Sequence, residues 1–303
     1  MRIPDNLLAQ QFTARIDSVT EKIATDQLQI SSGIRILQPS DDPSGAVQAA
    51  ALTSSLSQLG DQAQVVKQAQ SWMSSEDATL GQIYSQLQQA HTLAVSAANP
   101  QSTDSSEALA TQVDAIRNSL LQLANTEVNG RYLFAGYKTD AAPFSDTGGT
   151  VNYTGDNGVK TVTVGDSGSI SFSHPGTAVF GTPLPGAAAD PAHPSVFATL
   201  DTLSAAIRSG TTATVQASID QLNTQLQNVN AVSAETGTRE QQMTQLTDYI
   251  TQQQTVLTKT LSDTQSTDIA QVAIDLQQQQ NIYQATTYVT SLLGKEGLLQ
   301  WLH

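Results

Sequence analysis

Apolar residues recur along this chain with a helical period almost throughout, and the places where the period fails divide it into parts. Ile16, Ile23, Ile30 and Leu37 stand at seven-residue intervals, with Phe12 and Val19 filling the intermediate seam. That heptad spacing predicts a helix packing along one line of a partner helix. The pattern breaks at Ser31-Ser32-Gly33, pauses at Asp41-Asp42-Pro43, and resumes. Asp before Pro before an Ala-rich run predicts a helix start, with Asp42 as N-cap and Pro43 at the first helical position. Leu52, Leu56, Leu59, Ala63, Val66, Met73, Leu80, Ile83 and Leu87 then keep three-four spacing up to Asn99-Pro100. A helix of that extent would be roughly 80 Å long. A third helix carries Leu109, Val113, Ile116, Leu120 and Leu123, with its end expected near Asn129-Gly130.

Between Lys138 and Pro194 the period changes. Val151 and Tyr153, Val162 and Val164, and Ile170 and Phe172 alternate with polar neighbours, separated by GDNG and GDSG. Alternation bounded by such clusters predicts short strands joined by tight turns. Helical spacing returns at Phe197, Leu200, Leu203 and Ile207. It continues through Val215 to Val229, then Met243 to Leu257, and closes with Ile269, Val272, Leu276 and Tyr283. The expected fold is mainly α, a long-helix antiparallel bundle or coiled coil with its N- and C-terminal helices paired and a small β-rich insert domain. The expected parts are terminal coiled-coil segments over 1–43 and 264–303, a helical rod over 44–137 and 195–263, and an outward insert over 138–194. Short antiparallel returns would bring both chain ends together.

Composition narrows the chemistry. Aromatic residues make up only 5% of the chain, so the core must be built mostly from Leu, Ile, Val and Ala. Against 27 acids stand 13 basic residues, a formal charge of −14, which makes nucleic acid and anionic lipid poor partners. With no cysteine there is no disulfide framework, thiol nucleophile or thiolate metal site. No apolar run reaches membrane-spanning length, and the first residues show no cleaved signal. His91, His174, His193 and His303 are scattered, and none of the metal-protease, P-loop or nucleophile-elbow motifs occurs. Asp41 and Asp42 lack the alternating acids of a calcium loop and are read as helix-capping residues. No catalytic, cofactor-binding or metal-binding residue is assigned, and the chain is read as a non-enzyme.

The terminal segments remain. Leu7, Leu28 and Ile34 fall off the Ile16-Ile23-Ile30 line, and extra apolar positions call for extra partners. These ends are expected to stay loosely ordered alone and to order when neighbours cover them.

The stretch LQISSGIRILQPSDDPSGAVQAA, Leu28 to Ala50, resembles the N-terminal signature of the bacterial flagellin family, where a helix runs into SSG-x-R-I, paired acids and a small-residue helix start. DIAQVAIDLQQQQNIYQATTYVTSLLGKEGLLQWL, from Asp268, is similar to the family's C-terminal helix. Within the family, the start MRIP and the segment NGRYLFAGYKTDAAPFS, Asn129 to Ser145, are similar to its hook–filament junction branch. The resemblance implies a structural adaptor joining the hook-side junction to the flagellin filament. Its partners would be a neighbouring hook-associated protein, flagellin, copies of itself, and a cytoplasmic type III export chaperone on the C-terminal helix. It implies secretion by the flagellar type III route to the extracellular flagellum. Inner-tube packing would fall to Phe12, Ile16, Val19, Ile23, Ile30, Leu37, Ile269, Val272, Leu276, Tyr283, Leu292 and Leu293. Gly33, Asp41, Asp42 and Pro43 would form the joint between terminal helix and rod. Asn129, Gly130, Tyr132, Phe134, Gly136 and Tyr137 would form the rod–insert boundary. The alternatives are flagellin itself, and a coiled-coil adhesin or phage tail component.

Overall fold

The computed structural model describes residues 5–99, 105–164, 168–181 and 195–299, with the side chains of 5–9, 164 and 293–299 outside that description. The MRIP start, the side chains of Leu7 and Leu293, His193 and His303 therefore lie outside that description.

Seven helices and six short strands follow one another among the described residues. They are α1 (Asp5–Ser32), α2 (Pro43–Ala98), α3 (Ser106–Ala124), β1 (Glu127–Val128), β2 (Arg131–Tyr132), β3 (Phe144–Thr147), β4 (Thr150–Tyr153), β5 (Thr161–Val164), β6 (Gly168–Ser171), α4 (Gly176–Phe180), α5 (Val196–Ser209), α6 (Thr212–Gln265) and α7 (Ile269–Leu299). The expected mainly α bundle with a small β insert is present. α2 runs 56 residues, about 84 Å at 1.5 Å per residue, and starts at Pro43 as its capping residues require. None of the described helices is long and apolar enough to cross a membrane.

The chain packs as two compact units, one of residues 1–59 with 252–303 and one of residues 60–251. The unit 60–251 has a continuous apolar core. Leu80, Ile83 and Leu87 on α2, Val113 and Leu120 on α3, Leu200 and Leu203 on α5, and Leu222 on α6 are all fully buried within it. The insert expected over 138–194 shares this core. Phe144, Val151, Tyr153, Val179 and Phe180 belong to the same cluster, and the Phe180 ring stacks on Phe197 of α5 at 5.6 Å.

The strands form three separate antiparallel hairpins, β1–β2, β3–β4 and β5–β6. The segment GDNG does not turn β4 back onto β5. Instead it is an anchored loop, in which the Asp156 carboxylate accepts from the backbone N–H of Tyr137 and of Gly158, both at 2.8 Å. α3 also ends earlier than its spacing suggests, at Ala124 with Asn125 as C-cap. The Asn125 amide explains this, because its Nδ2 donates to the Phe144 carbonyl at 2.9 Å and its Oδ1 accepts from the Phe144 N–H at 3.0 Å. Asn129-Gly130 is consequently no helix stop. Both residues take positive φ, 52° and 77°, and form the two-residue turn of the β1–β2 hairpin, for which Asn-Gly is favoured.

Two buried polar groups tie the insert and its neighbours to the helices. Arg117 of α3 pairs with Asp146 of β3 at 2.7 Å and with Asp201 of α5 at 2.5 Å. Glu76 of α2 is fully buried. Its Oε1 lies 2.7 Å from His174 Nδ1 and accepts from the His174 backbone N–H at 3.2 Å. Burial pushes the Glu76 carboxyl up, and the hydrogen bond and charge of His174 oppose the rise. An acid whose folded pKa is raised binds its proton more tightly when folded. Its contribution is full below the ordinary glutamate value and is lost as pH rises through the folded one. Glu76→Gln keeps an acceptor for His174 and is expected to flatten the pH dependence of urea unfolding above the ordinary glutamate value. Glu76→Ala strands His174 donors and is expected to cost about 1–3 kcal/mol more than Glu76→Gln, read as the difference between their unfolding free energies.

Candidate functional site

The unit formed by residues 1–59 and 252–303 is built differently. Its buried apolar side chains, among the described residues, are Val19, Ile36, Ala49 and Val272. α1 and α7 are both continuous helices over the described residues, and they pack on one another. On α1, Val19 is buried while Phe12, Ile16, Ile23 and Ile30 are half-buried, as is Leu37 beyond its end. On α7, Val272 is buried and Leu276 half-buried, whereas Ile269, Tyr283 and Leu292 are exposed. Of the expected packing residues, those on α1 thus face a neighbour in the same chain and several on α7 do not.

α7 carries a second apolar side. Ile274 and Tyr288 are 62% and 66% exposed, and Val289 is exposed beside them. At 100° per residue, Ile274, Tyr288 and Leu292 sit about 200°, 160° and 200° round the helix from buried Val272. They therefore line the side opposite the covered one. Leu28 on α1, Val47 on α2 and Val256 on α6 add further uncovered apolar positions. A search along one three-four line finds Val272 and Leu276 and passes over Ile274 and Tyr288. A full helical wheel of α7 would have shown both sides.

The joint lies between α1 and α2, and it is double. Gly33, at φ +70°, takes the left-handed conformation that ends α1, and its N–H donates to the Gln29 carbonyl at 2.8 Å. Beyond it the chain pairs with the break between α6 and α7. Ile34 and Ser266 form an antiparallel bridge. Around it the Arg35 N–H donates to the Gln265 carbonyl at 2.6 Å and the Thr267 N–H to the Gly33 carbonyl at 3.0 Å. The Arg35 guanidinium reaches the Asp42 carboxylate at 3.1 Å and the Thr264 carbonyl at 3.3 Å. Asp42 caps α2 through the Gly45 N–H at 2.9 Å.

Asp41 has another role. Its carboxylate accepts from the N–H groups of Leu37 and Gln38, at 3.0 and 2.8 Å, so it holds the loop and does not cap the helix. Gly45 lets the loop pack closely, since a Cβ there would stand 2.6 Å from both Ile36 Cδ1 and Asp42 Oδ2 and would displace those side chains. Asp268 caps α7 through the N–H groups of Ala270 and Gln271, at 3.0 and 3.2 Å. The sequence reading quoted Arg35 and Asp268 within the two terminal signatures but gave neither them nor Gly45 a role at the joint. Asp268 before Ile-Ala was the available signal for the start of α7.

The six boundary residues divide. Asn129 and Gly130 form the hairpin turn already described. Phe134 is fully buried, edge-on to Phe180 at 5.5 Å, and Tyr132 is half-buried. Tyr137 is 66% exposed, and its hydroxyl donates to the Val159 carbonyl at 2.8 Å. Gly136, at φ +70°, leaves room for Asp156, whose carboxylate a Cβ would strike at 2.1 Å. Among the described residues no group of three or more His, Cys, Asp or Glu is placed to hold a metal ion.

Comparison with known proteins places this architecture. Residues 3–139 match the family model described as the bacterial flagellin N-terminal helical region. The chain is 33% identical over 255 residues to flagellar hook-associated protein 3 of Escherichia coli (strain K12), covering 79% of this chain and 80% of that protein. It is 34% identical over 256 residues to flagellar hook-associated protein 3 of Salmonella typhimurium (strain LT2), covering 79% and 80% respectively. Among solved structures, flagellar hook-associated protein 3 from Legionella pneumophila superposes with a TM-score of 0.62 at 17% identity, over 71% of this chain and 98% of that one. That last likeness bears on the fold alone.

The Gly45 N–H, and secondarily the Arg35 guanidinium, hold the Asp42 carboxyl below its ordinary value. A lowered folded pKa gives stability that is full above the ordinary aspartate value and lost as pH falls through the folded one. Asp42→Ala at neutral pH is therefore expected to speed amide exchange at Gly45 and Ala46. Exchange in the α3 core is expected to stay unchanged in the same measurement.

Proposed function

The chain belongs to the flagellar hook-associated protein 3 family, and from that membership together with the uncovered side of α7 we propose that it is the structural adaptor joining the hook-side junction to the flagellin filament. Its place would be the extracellular flagellum. The work is done by association and requires no reaction. Apolar stripes of the terminal helices bury against a hook-associated protein on one side, flagellin on the other, and copies of the same chain within the layer. Fully burying one large apolar side chain is worth about 1.5–3 kcal/mol. Covering half- to two-thirds-exposed Ile274, Tyr288 and Leu292 thus supplies on the order of 3–5 kcal/mol before ordering costs.

The observation that carries this reading is the pair of opposed apolar sides on α7. One side meets α1, and the other has no partner among the described residues of its unit. The same exposed residues suit an export chaperone that would hold the C-terminal helix in the cytoplasm before passage through the type III channel. A chain free of cysteine suits passage in unfolded form. Flagellin itself is disfavoured, because the curated relatives with 33% and 34% identity carry the hook-associated name.

Deleting the gene is expected to leave completed hooks with flagellin shed into the medium, and filaments of normal length would overturn the adaptor reading. Complementation with Ile274→Glu/Tyr288→Glu is expected to give a secreted chain with unchanged circular dichroism, because both side chains are solvent-facing in the free protein. Cells carrying it should nevertheless fail to swarm. Restored swarming would show that this side of α7 packs against nothing.

A further inference from the structure

The unit 60–251 holds a groove of about 760 Å³ whose lining includes Val65, Lys67 and Trp72 of α2, Arg131 of β2, and Lys160 and Phe172 of the insert. It is out of character with the rest of the chain. Three of the chain's 13 basic residues line it, no acidic residue does, and the chain as a whole carries −14.

The cations are held there without counter-charge. None of the ion pairs among the described residues involves Lys67, Arg131 or Lys160. Lys160 Nζ sits 3.5 Å from the centre of the Trp72 ring, a cation–π contact that fixes it over the apolar floor. Burial, and next the charge of Arg131, bring the Lys160 ammonium down to about 8. The acid close enough to oppose that shift, Glu76, is fully buried and already engaged by His174. An entering carboxylate would relieve the repulsion between Lys160 and Arg131, and the apolar floor would cover the stem that carries it. The groove is far larger than one inorganic anion needs. Polyanionic nucleic acid would carry its charge far beyond the groove, onto a chain of net charge −14.

We propose that this groove is a docking site for an acidic segment of a second copy of the chain. The proposal rests on the adaptor reading only in supposing that copies pack side by side. Every such copy presents an excess of carboxylates, so charge complementarity is available at each contact. A contact in which one copy offers the groove and the next offers its acidic surface is heterologous, and its repetition gives a ring where the rotation closes and an open helical array where it does not.

The chain has two tryptophans, so the full-length Trp301→Phe variant reports from Trp72 alone, inside the groove. Titrating it at low salt with an excess of Trp72→Phe/Trp301→Phe copies, which keep their acidic surface, is expected to give a saturable change in Trp72 emission. Hexaglutamate should reproduce that change. Raising sodium chloride from about 0.05 M to about 0.5 M shortens the screening length severalfold and should weaken both titrations at least about tenfold. Arg131→Glu/Lys160→Glu in the reporting chain should abolish both, with its circular dichroism unchanged. Lys259→Glu, outside the groove, should leave them intact. The proposal is overturned if Trp72 does not respond to added copies, if the response survives the double charge reversal or high salt, or if an oligothymidylate elicits it and the copies do not. These outcomes are separable from the deletion experiment: a silent Trp72 leaves the adaptor reading standing, and normal filaments in the deletion strain leave the measured docking standing.

Discussion

A helix with apolar side chains on two opposite sides cannot satisfy both against a single partner, and that geometric fact governs the terminal part of this molecule. α1 covers Val272 and partly covers Leu276, but it cannot also reach Ile274 and Tyr288 on the far side. Curvature of either helix would not change this, because the two stripes are about half a turn apart. The unit 60–251 shows what the same chain does when burial is available. There α2, α3, α5 and α6 leave Leu80, Ile83, Leu120, Leu200 and Leu222 with no exposed surface. One unit is finished by its own residues, and the other leaves large apolar side chains such as Ile274 and Tyr288 uncovered. The difference lies in how many faces each helix must cover and not in overall hydrophobicity.

The joint shows which structural facts local sequence chemistry carries. Gly33 and Asp42-Pro43 were legible because their meaning is local: a left-handed residue ends a helix, and a side-chain acceptor before proline starts one. Arg35 was not legible, because its second partner, the Thr264 carbonyl, is 229 residues away. The Ile34–Ser266 bridge is made from backbone groups, which leave no mark on side-chain pattern at all. Asp41 and Asp42 look alike in a sequence, and both were expected to cap α2. One residue of register decides that Asp42 caps while Asp41 folds the loop behind it.

The insert was half legible for a related reason. Alternation located inward-facing Val151, Tyr153 and Val162, which are indeed buried. It did not give the pairing. The partner of β4 is β3, where Phe144 is buried and the following three residues are exposed, too short a pattern to register as alternation. Asn129-Gly130 fits two local meanings, helix stop and hairpin turn. The choice was made elsewhere, by the Asn125 amide closing α3 against Phe144. Phe180 and Phe197, which flank a segment rich in Gly, Pro and Ala, stack in the common core. No periodicity announces such a contact.

Charge placement extends the first constraint from geometry to assembly. A chain of net charge −14 resists meeting copies of itself, yet the 31 residues of α7 include only Asp275, Lys295 and Glu296 as charged side chains. The uncovered side of α7 can therefore approach another subunit without stacking like charges. The α1–α7 pair itself is less accommodating. Burial, and then the neighbouring Asp275, push the Asp26 carboxyl up, with Lys22 opposing. Two acids facing one another across the seam weaken that pairing where both are ionised, so the contribution made by protonated Asp26 fades as pH rises through its folded value. The covered side of α7 is thus held with some repulsion built in, while its open side carries Ile274, Tyr288 and Leu292 among uncharged Gln and Asn residues up to Leu292. A terminal pair arranged in this way keeps Ile274, Tyr288 and Leu292 available for burial against another surface, a gain that its own pairing cannot supply.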